Sequence, residues 1–412
     1  MLRAMYRWIV VFGLAACMRP QTPHDRDAGA TERVEDLDWL LARIAHDDPY
    51  VERLDVAGIR AHYLAPTRDA TTRDAWIGVL EDVIGELYDH HVSLGTNTDA
   101  SPRLVPTGAD LWGEVAGGKA VITAVRRGTA AERAGLRTGM VVTAIGGRAI
   151  GDAIATRRPA INGRRDPAAA SWAFRVLLAG THDTTRRLTA CTTPDACRDY
   201  ALDAPELPDA ATPVTSRLDG DIGYIRIENS LGNRDTVAAF DAALVALAPA
   251  RGLILDLRDT PSGGSTEVAE PILGRFLDAS RDYQRVFVPG RDRAPWNKQV
   301  TPRAPFDARP LAVLVDRWTG SMGEGMAIGL DALHRAVVVG TAMAELRGGI
   351  AGVTLPHSGI TVRFQNERLF HVDGTPRERW IPPIIVQPSG GEPTDPILER
   401  GIQVLTEQHL GG

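Results

Sequence analysis

The stretch Leu311-Ala-Val-Leu-Val-Asp-Arg-Trp-Thr-Gly-Ser-Met-Gly-Glu-Gly-Met-Ala-Ile-Gly-Leu330 changes its hydrophobic pattern once, and the change decides the fold. Leu311 to Val315 is an unbroken apolar run of the length of a buried strand. A short turn follows, and small residues at helical spacing begin at Ser321. Strand, tight turn and helix make the repeating unit of an α/β sheet, whose sites collect where the strands end. Ser321 therefore sits at a helix N-terminus, where unpaired N–H groups and the helix dipole favour negative charge. A serine that attacks a carbonyl creates an oxyanion and needs that setting. Serine is also a good helix cap, and on this stretch alone capping is the simpler reading.

A second stretch of the same form is Arg251-Gly-Leu-Ile-Leu-Asp-Leu-Arg-Asp-Thr-Pro-Ser-Gly-Gly264. Glycines after a strand let the backbone turn tightly and present N–H groups to a ligand. Together the two stretches resemble the carboxy-terminal processing protease and tricorn family of serine peptidases. In that family one strand ends "LDLR-x-N-x-GG" and supplies an oxyanion donor, and another leads to "S-x-x-E" with the nucleophile. The matching residues are Asp256, Leu257, Arg258, Gly263 and Gly264, then Ser321 and Glu324. The resemblance implies a nucleophilic Ser321, an oxyanion site of backbone N–H groups from Met322 and Gly263 or Gly264, and a supporting Glu324. One extra residue separates Arg258 from the glycine pair, so the donating glycine is open between the two.

The base must be sought elsewhere. Processing proteases of this family use a lysine downstream of the serine. Here that region, Gly340-Thr-Ala-Met-Ala-Glu-Leu-Arg-Gly-Gly349, holds Arg347 and no lysine, and both lysines of the chain, Lys119 and Lys298, precede Ser321. Arginine stays protonated and cannot substitute. The tricorn branch takes a histidine from the N-terminal region, in a motif like "E-L-x-x-S-H-t". Glu86-Leu-Tyr-Asp-His-His-Val-Ser93 is similar to it. The resemblance implies His91 as base, with His90 at the position of a relay serine. A late glutamate in "v-E-x-x-G-V-x-P-D" is matched by Glu378 in Arg377-Glu-Arg-Trp-Ile-Pro-Pro-Ile384, and would orient the base. His357 and His371 lie in turn-like contexts and rank behind His91.

Residues 120–150 resemble a PDZ domain: a strand, a short helix ending at Gly135-Leu136, a turn at Gly139, a second strand and a Gly146-Gly147 hairpin. The usual Gly-Asp of the turn is Gly139-Met140. Such a domain implies a peptide groove along the strand from Leu111 to Val115, with Leu111 and Trp112 lining it and a substrate chain adding as an extra strand. A degenerate domain serving only as a lid is the alternative.

The remaining features set the frame. Arg3 and Arg7 precede the short apolar run Trp8 to Ala16, too short to span a bilayer, which ends in Leu14-Ala-Ala-Cys17. This resembles a bacterial lipoprotein signal over 1–17, with Cys17 lipidated and residues 18–31 as a polar tether. Cys191 and Cys197 form an even pair that suggests a disulfide in an exported chain. The 412 residues are 44% hydrophobic with a formal net charge of −6, enough for real cores and without the basic face of a nucleic-acid binder. No metal-ligand spacing is evident, and no cofactor is implied.

The expected organisation is an N-terminal helical region at 32–100, a PDZ-like β-rich domain at 103–206, and an α/β catalytic core, a mixed sheet with helices, at 214–412. The expected function is that of a serine peptidase in the bacterial cell envelope, anchored on the periplasmic side and acting on peptides or proteins. The alternative is a non-catalytic PDZ lipoprotein that captures peptides as a scaffold.

Overall fold

The computed structural model describes residues 28–205, 210–290 and 294–410. The signal, Cys17 and most of the tether lie outside the described residues. The last tether positions do not stay extended: a helix already begins at Ala30 and runs to Asp47.

The C-terminal region is built on a six-stranded sheet. Its strands lie in the order Ile384–Ile385, Val337–Gly340, Leu311–Val315, Gly252–Asp256, Ile222–Ile227 and Val214–Asp219. All neighbours pair in parallel except the last two. The apolar runs are continuous because both faces are covered, as parallel sheets require. Side chains alternate between the faces. Leu253, Leu255, Val313 and Val315 join Phe240, Leu273, Met326 and Ile328 on one side. Ile254, Ala312 and Leu314 meet Ile397, Val404 and Leu405 of the Pro396–Leu410 helix on the other.

A second, antiparallel sheet places Thr361–Phe370 between Ser93–Leu94 and Arg281–Phe287, and the latter pairs with Trp296–Val300. Its Val362 and Phe364 complete the core of three N-terminal helices, Ala30–Asp47, Val56–Asp69 and Arg73–Gly85. The helical region is thereby fastened to the C-terminal region. The middle helix has little apolar periodicity and contains Pro66, which in sequence reads as punctuation. Burial of Ile59 and Tyr63 holds it in place.

Between these parts lies an antiparallel sheet in the order Leu111–Ala116, Lys119–Val125, Val141–Ile145, Arg186–Thr193, Ala196–Leu202. The helix Pro167–Ala179 packs on it through Phe174 and Leu178. Cys191 and Cys197 face each other across its last two strands and are bonded. Contacts tie this module to the turns after Gly252–Asp256 and Leu311–Val315. Arg126 pairs with Asp259 at 2.8 Å with both side chains largely buried, and the Trp318 indole donates to the Ala109 carbonyl at 2.7 Å.

Candidate active site

The turn after Leu311–Val315 is fixed by its own side chains. Asp316 accepts from the Trp318 N–H at 2.8 Å, and the Thr319 hydroxyl donates to the Leu257 carbonyl on the neighbouring strand at 3.1 Å. The chain then passes through Ser321 with φ 50° and ψ −108°, and the helix Met322–Ala332 begins. A non-glycine residue with positive φ is strained, and such strain collects at functional sites. Glu324 counteracts it: its Oε2 accepts from the Ser321 N–H at 2.8 Å, and its Oε1 accepts from the Leu346 N–H at 3.3 Å. Burial pushes the Glu324 carboxyl up to about 8, against the lowering effects of Arg377 and those two N–H groups.

The glycine turn lies beside the serine. Gly263 has φ +62°, and a Cβ there would collide with the Ser321 Cβ and stand 2.9 Å from its Oγ and 3.0 Å from the Met322 nitrogen. The Gly263 N–H donates to the Thr260 carbonyl at 3.0 Å. Among the described residues, the N–H groups of Gly264 and Met322 have no hydrogen-bond partner. Ser262, just before the glycine pair, is held by Asn229, which accepts from its N–H and donates to its hydroxyl, both at 2.9 Å. Asp256 and Arg258 of the strand motif serve the scaffold: they pair at 2.6 Å, and Arg258 also reaches Asp395 at 2.8 Å.

His91 comes from the turn after Arg73–Gly85. Glu86 anchors that turn by accepting the N–H groups of Ala160 at 2.9 Å and Asn162 at 2.8 Å. Asp89 then accepts the His91 N–H at 2.8 Å, a local side-chain turn that aims the ring. Nε2 of His91 lies 2.9 Å from the Ser321 Oγ. Nδ1 lies 2.9 Å from the main-chain carbonyl of Arg347. A carbonyl only accepts, so Nδ1 carries the proton and the Nε2 lone pair faces the hydroxyl. That is the state in which histidine takes a proton from serine. Burial, with Arg377 nearby, lowers the His91 pKa to about 4.

Other expected site residues lie differently. The partner of His91 Nδ1 is the Arg347 carbonyl and not Glu378. Glu378 accepts from the Tyr50 hydroxyl at 3.3 Å, and among the described residues its second oxygen has no hydrogen-bond partner. It lines a cavity of about 780 Å³ together with Tyr50, Tyr88, Glu114, Arg175 and Arg347. His90 is no relay here. Its ring packs against Trp172 and Trp112, each 6.0 Å away, and burial holds it well below the ordinary histidine pKa. Among the described residues no hydrogen bond joins His90 to His91 or Glu378. His357 pairs with Glu35 at 2.8 Å, and His371 lies between Asp331 and Asp373, so neither rival is the partner of Ser321.

Leu111 and Trp112 are fully buried packing residues and do not line an open groove. Trp112 lies under the guanidinium groups of Arg175 and Arg317, at 4.6 and 5.1 Å. The outer edge of their strand is sealed by the adjacent helix: the Val115 N–H donates to the Ser171 hydroxyl at 3.0 Å, and Arg175 donates to the Gly113 carbonyl at 3.1 Å. These are the groups that an added strand would use. At Gly113 any Cβ would strike the Phe174 ring, which is why helix and strand approach so closely.

Three contributors escaped the sequence reading: Asp89, the carbonyl of Arg347, and Arg377. Arg377 Nη2 donates to the carbonyls of Leu346, at 2.9 Å, and Gly348, at 2.5 Å, on either side of Arg347. Its neighbour Glu378 drew attention through the family motif. Asp89 stands two residues before His91, a spacing that signals a side-chain turn.

Residues 221–386 match the sequence model of peptidase family S41. Carboxyl-terminal-processing peptidase 1, chloroplastic, of Arabidopsis thaliana is 32% identical over 139 residues, covering 32% of this chain and 27% of that protein. The match thus spans about a quarter of that relative's length. The solved photosystem II D1 C-terminal processing protease superposes with a TM-score of 0.57 at 21% identity, covering 91% of this chain and 97% of that one. Mature CPAF superposes with a TM-score of 0.60 at 15% identity, covering 92% and 96%. These two structures share the overall fold, an α/β core with N-terminal helices.

Proposed function

We propose that this chain is a serine peptidase that cleaves peptide bonds through an acyl-enzyme. The observation that carries the reading is the 2.9 Å approach of His91 Nε2 to a strained Ser321 Oγ at a helix N-terminus. Ser321 attacks the scissile carbonyl while His91 takes its proton and returns it to the leaving amine. The N–H groups of Met322 and Gly264 receive the oxyanion, because that of Gly263 is already engaged. The two names of the relatives that mention C-terminal processing fit a peptide or protein substrate.

The same proposal takes residues 1–17 as an export signal, Cys17 as a lipid anchor in a bacterial envelope, and 103–206 as a PDZ-like module. Support comes from the signal-like composition and from the bonded pair Cys191–Cys197, which suits an oxidising compartment. Substrate presentation along the Leu111–Ala116 strand requires Ser171 and Arg175 to release its edge. The same seal counts against a scaffold whose sole task is peptide capture.

A fluorophosphonate probe tests the reading. Wild-type protein should be labelled on Ser321, and Ser321→Ala should lose both labelling and peptide hydrolysis while keeping its melting temperature. Undiminished turnover in the purified variant would remove Ser321 from the mechanism.

A further inference from the structure

His91 is held in a closed circuit. Its own N–H donates to Asp89 Oδ1 at 2.8 Å. The other carboxylate oxygen, Oδ2, accepts from the Arg347 N–H at 3.3 Å and lies 3.5 Å from the Arg347 Nε. The Arg347 carbonyl then accepts from His91 Nδ1 at 2.9 Å, which closes the circuit. Arg377 pins the same short segment from outside through the carbonyls of Leu346 and Gly348. Asp89 is buried, so each of its contacts replaces hydration that it has lost.

We propose that Asp89 is the positioning residue of this site, taking the place of a triad carboxylate by fixing both the backbone of His91 and the carbonyl that sets its tautomer. The inference rests on the reading of Ser321 and His91 as nucleophile and base. A triad carboxylate touches Nδ1 itself and stabilises the imidazolium by charge. Here a neutral carbonyl touches the ring, and the carboxylate orients that carbonyl through the N–H of the same residue. Loss of either Asp89 contact frees the Arg347 carbonyl or the His91 backbone to move, and small misplacements of a catalytic group cost turnover steeply.

Two substitutions separate the contacts. Asp89→Asn keeps the size of the side chain but offers one acceptor for two N–H groups. Asp89→Ser can still accept from His91 but cannot reach Arg347. Both should lower kcat about 10- to 100-fold with little change in KM, and slow fluorophosphonate labelling in proportion. Glu378→Gln should lose less than Asp89→Asn. The direct readout is nitrogen NMR of histidine-labelled Ser321→Ala protein at neutral pH. His91 should carry its proton on Nδ1, and Asp89→Asn in that background should mix the tautomers. A proton on Nε2 in the Ser321→Ala protein overturns the proposal without reference to any Asp89 variant. So does a folded Asp89→Asn enzyme with near-normal kcat, or a greater loss in Glu378→Gln. The underlying peptidase reading fails separately, if wild-type protein neither labels nor turns over.

Discussion

His91 and Arg347 meet through a main-chain carbonyl, 2.9 Å from Nδ1, and not through the charged side chain of Arg347. The lysine expected of a processing protease is absent, and the arginine in that region contributes its backbone. The proposed base is thus held by an uncharged partner in a buried place, and its titration follows from that.

The acid limb of activity should lie near pH 4. Burial disfavours the imidazolium, so the His91 pKa falls to about 4 from an ordinary value of about 6.5. The neutral base therefore persists as pH drops from neutrality, and kcat/KM should halve near pH 4. A glutamate on Nδ1 would have raised the value and moved the limb toward neutrality. The linked stability runs the same way: it is fully present above the unfolded pKa and lost as pH falls from about 6.5 through 4. A pH–rate profile beside a pH series of melting curves checks both, and a limb near pH 7 would contradict this account.

Gly263→Ala should fold and lose activity. The new Cβ would meet Ser321 and crowd the Met322 nitrogen, and φ +62° is strained for alanine. The oxyanion site should be distorted and acylation slowed about 100-fold or more, the order found when a donor is lost. Stopped-flow acylation with an active ester measures this.

Lys119→Ala and Lys298→Ala should each stay within about twofold of wild-type kcat/KM, since surface ion pairs contribute little. Lys119 is exposed, and Lys298 pairs with Glu270 at 2.5 Å on a sheet strand. A folded but inactive Lys298→Ala enzyme would return the reaction to a lysine base.

The Cys191–Cys197 bond closes a hairpin with a sequence separation of 6, so its loss should cost about 2 kcal/mol and leave turnover unchanged. Thermal melts of the Cys191→Ser/Cys197→Ser double variant, and mass spectrometry of unreduced peptides, test this.

The strands of the central sheet and the helix at Ser321 were legible because apolar runs ending in glycine turns have few other readings. His91 was legible only through its family motif. The contacts of its ring were not, because a main-chain carbonyl has no signature in sequence: any residue at position 347 would supply one. Arg377 was hidden for a related reason, since its targets are also carbonyls. The hairpin Arg186–Leu202 and the helix Pro167–Ala179 are not legible because the hairpin holds no long apolar run, its second strand being mostly exposed, and the alanine-rich helix shows weak periodicity. The groove expected along Leu111 to Val115 came from the resemblance to a PDZ domain. The Ser171 and Arg175 contacts that occupy that strand edge are decided only by packing.

That seal also bears on how the molecule survives at high concentration. A terminal strand with free N–H and carbonyl groups is a template on which a neighbouring molecule can add its own strand, and repeated addition is how sheets aggregate. Ser171 and Arg175 occupy that template on Leu111–Ala116. The opposite terminal strand, Ala196–Leu202, keeps Arg198 and Asp199 at the surface. With one margin bonded to its own helix and the other carrying charge, the sheet resists growing into a second molecule.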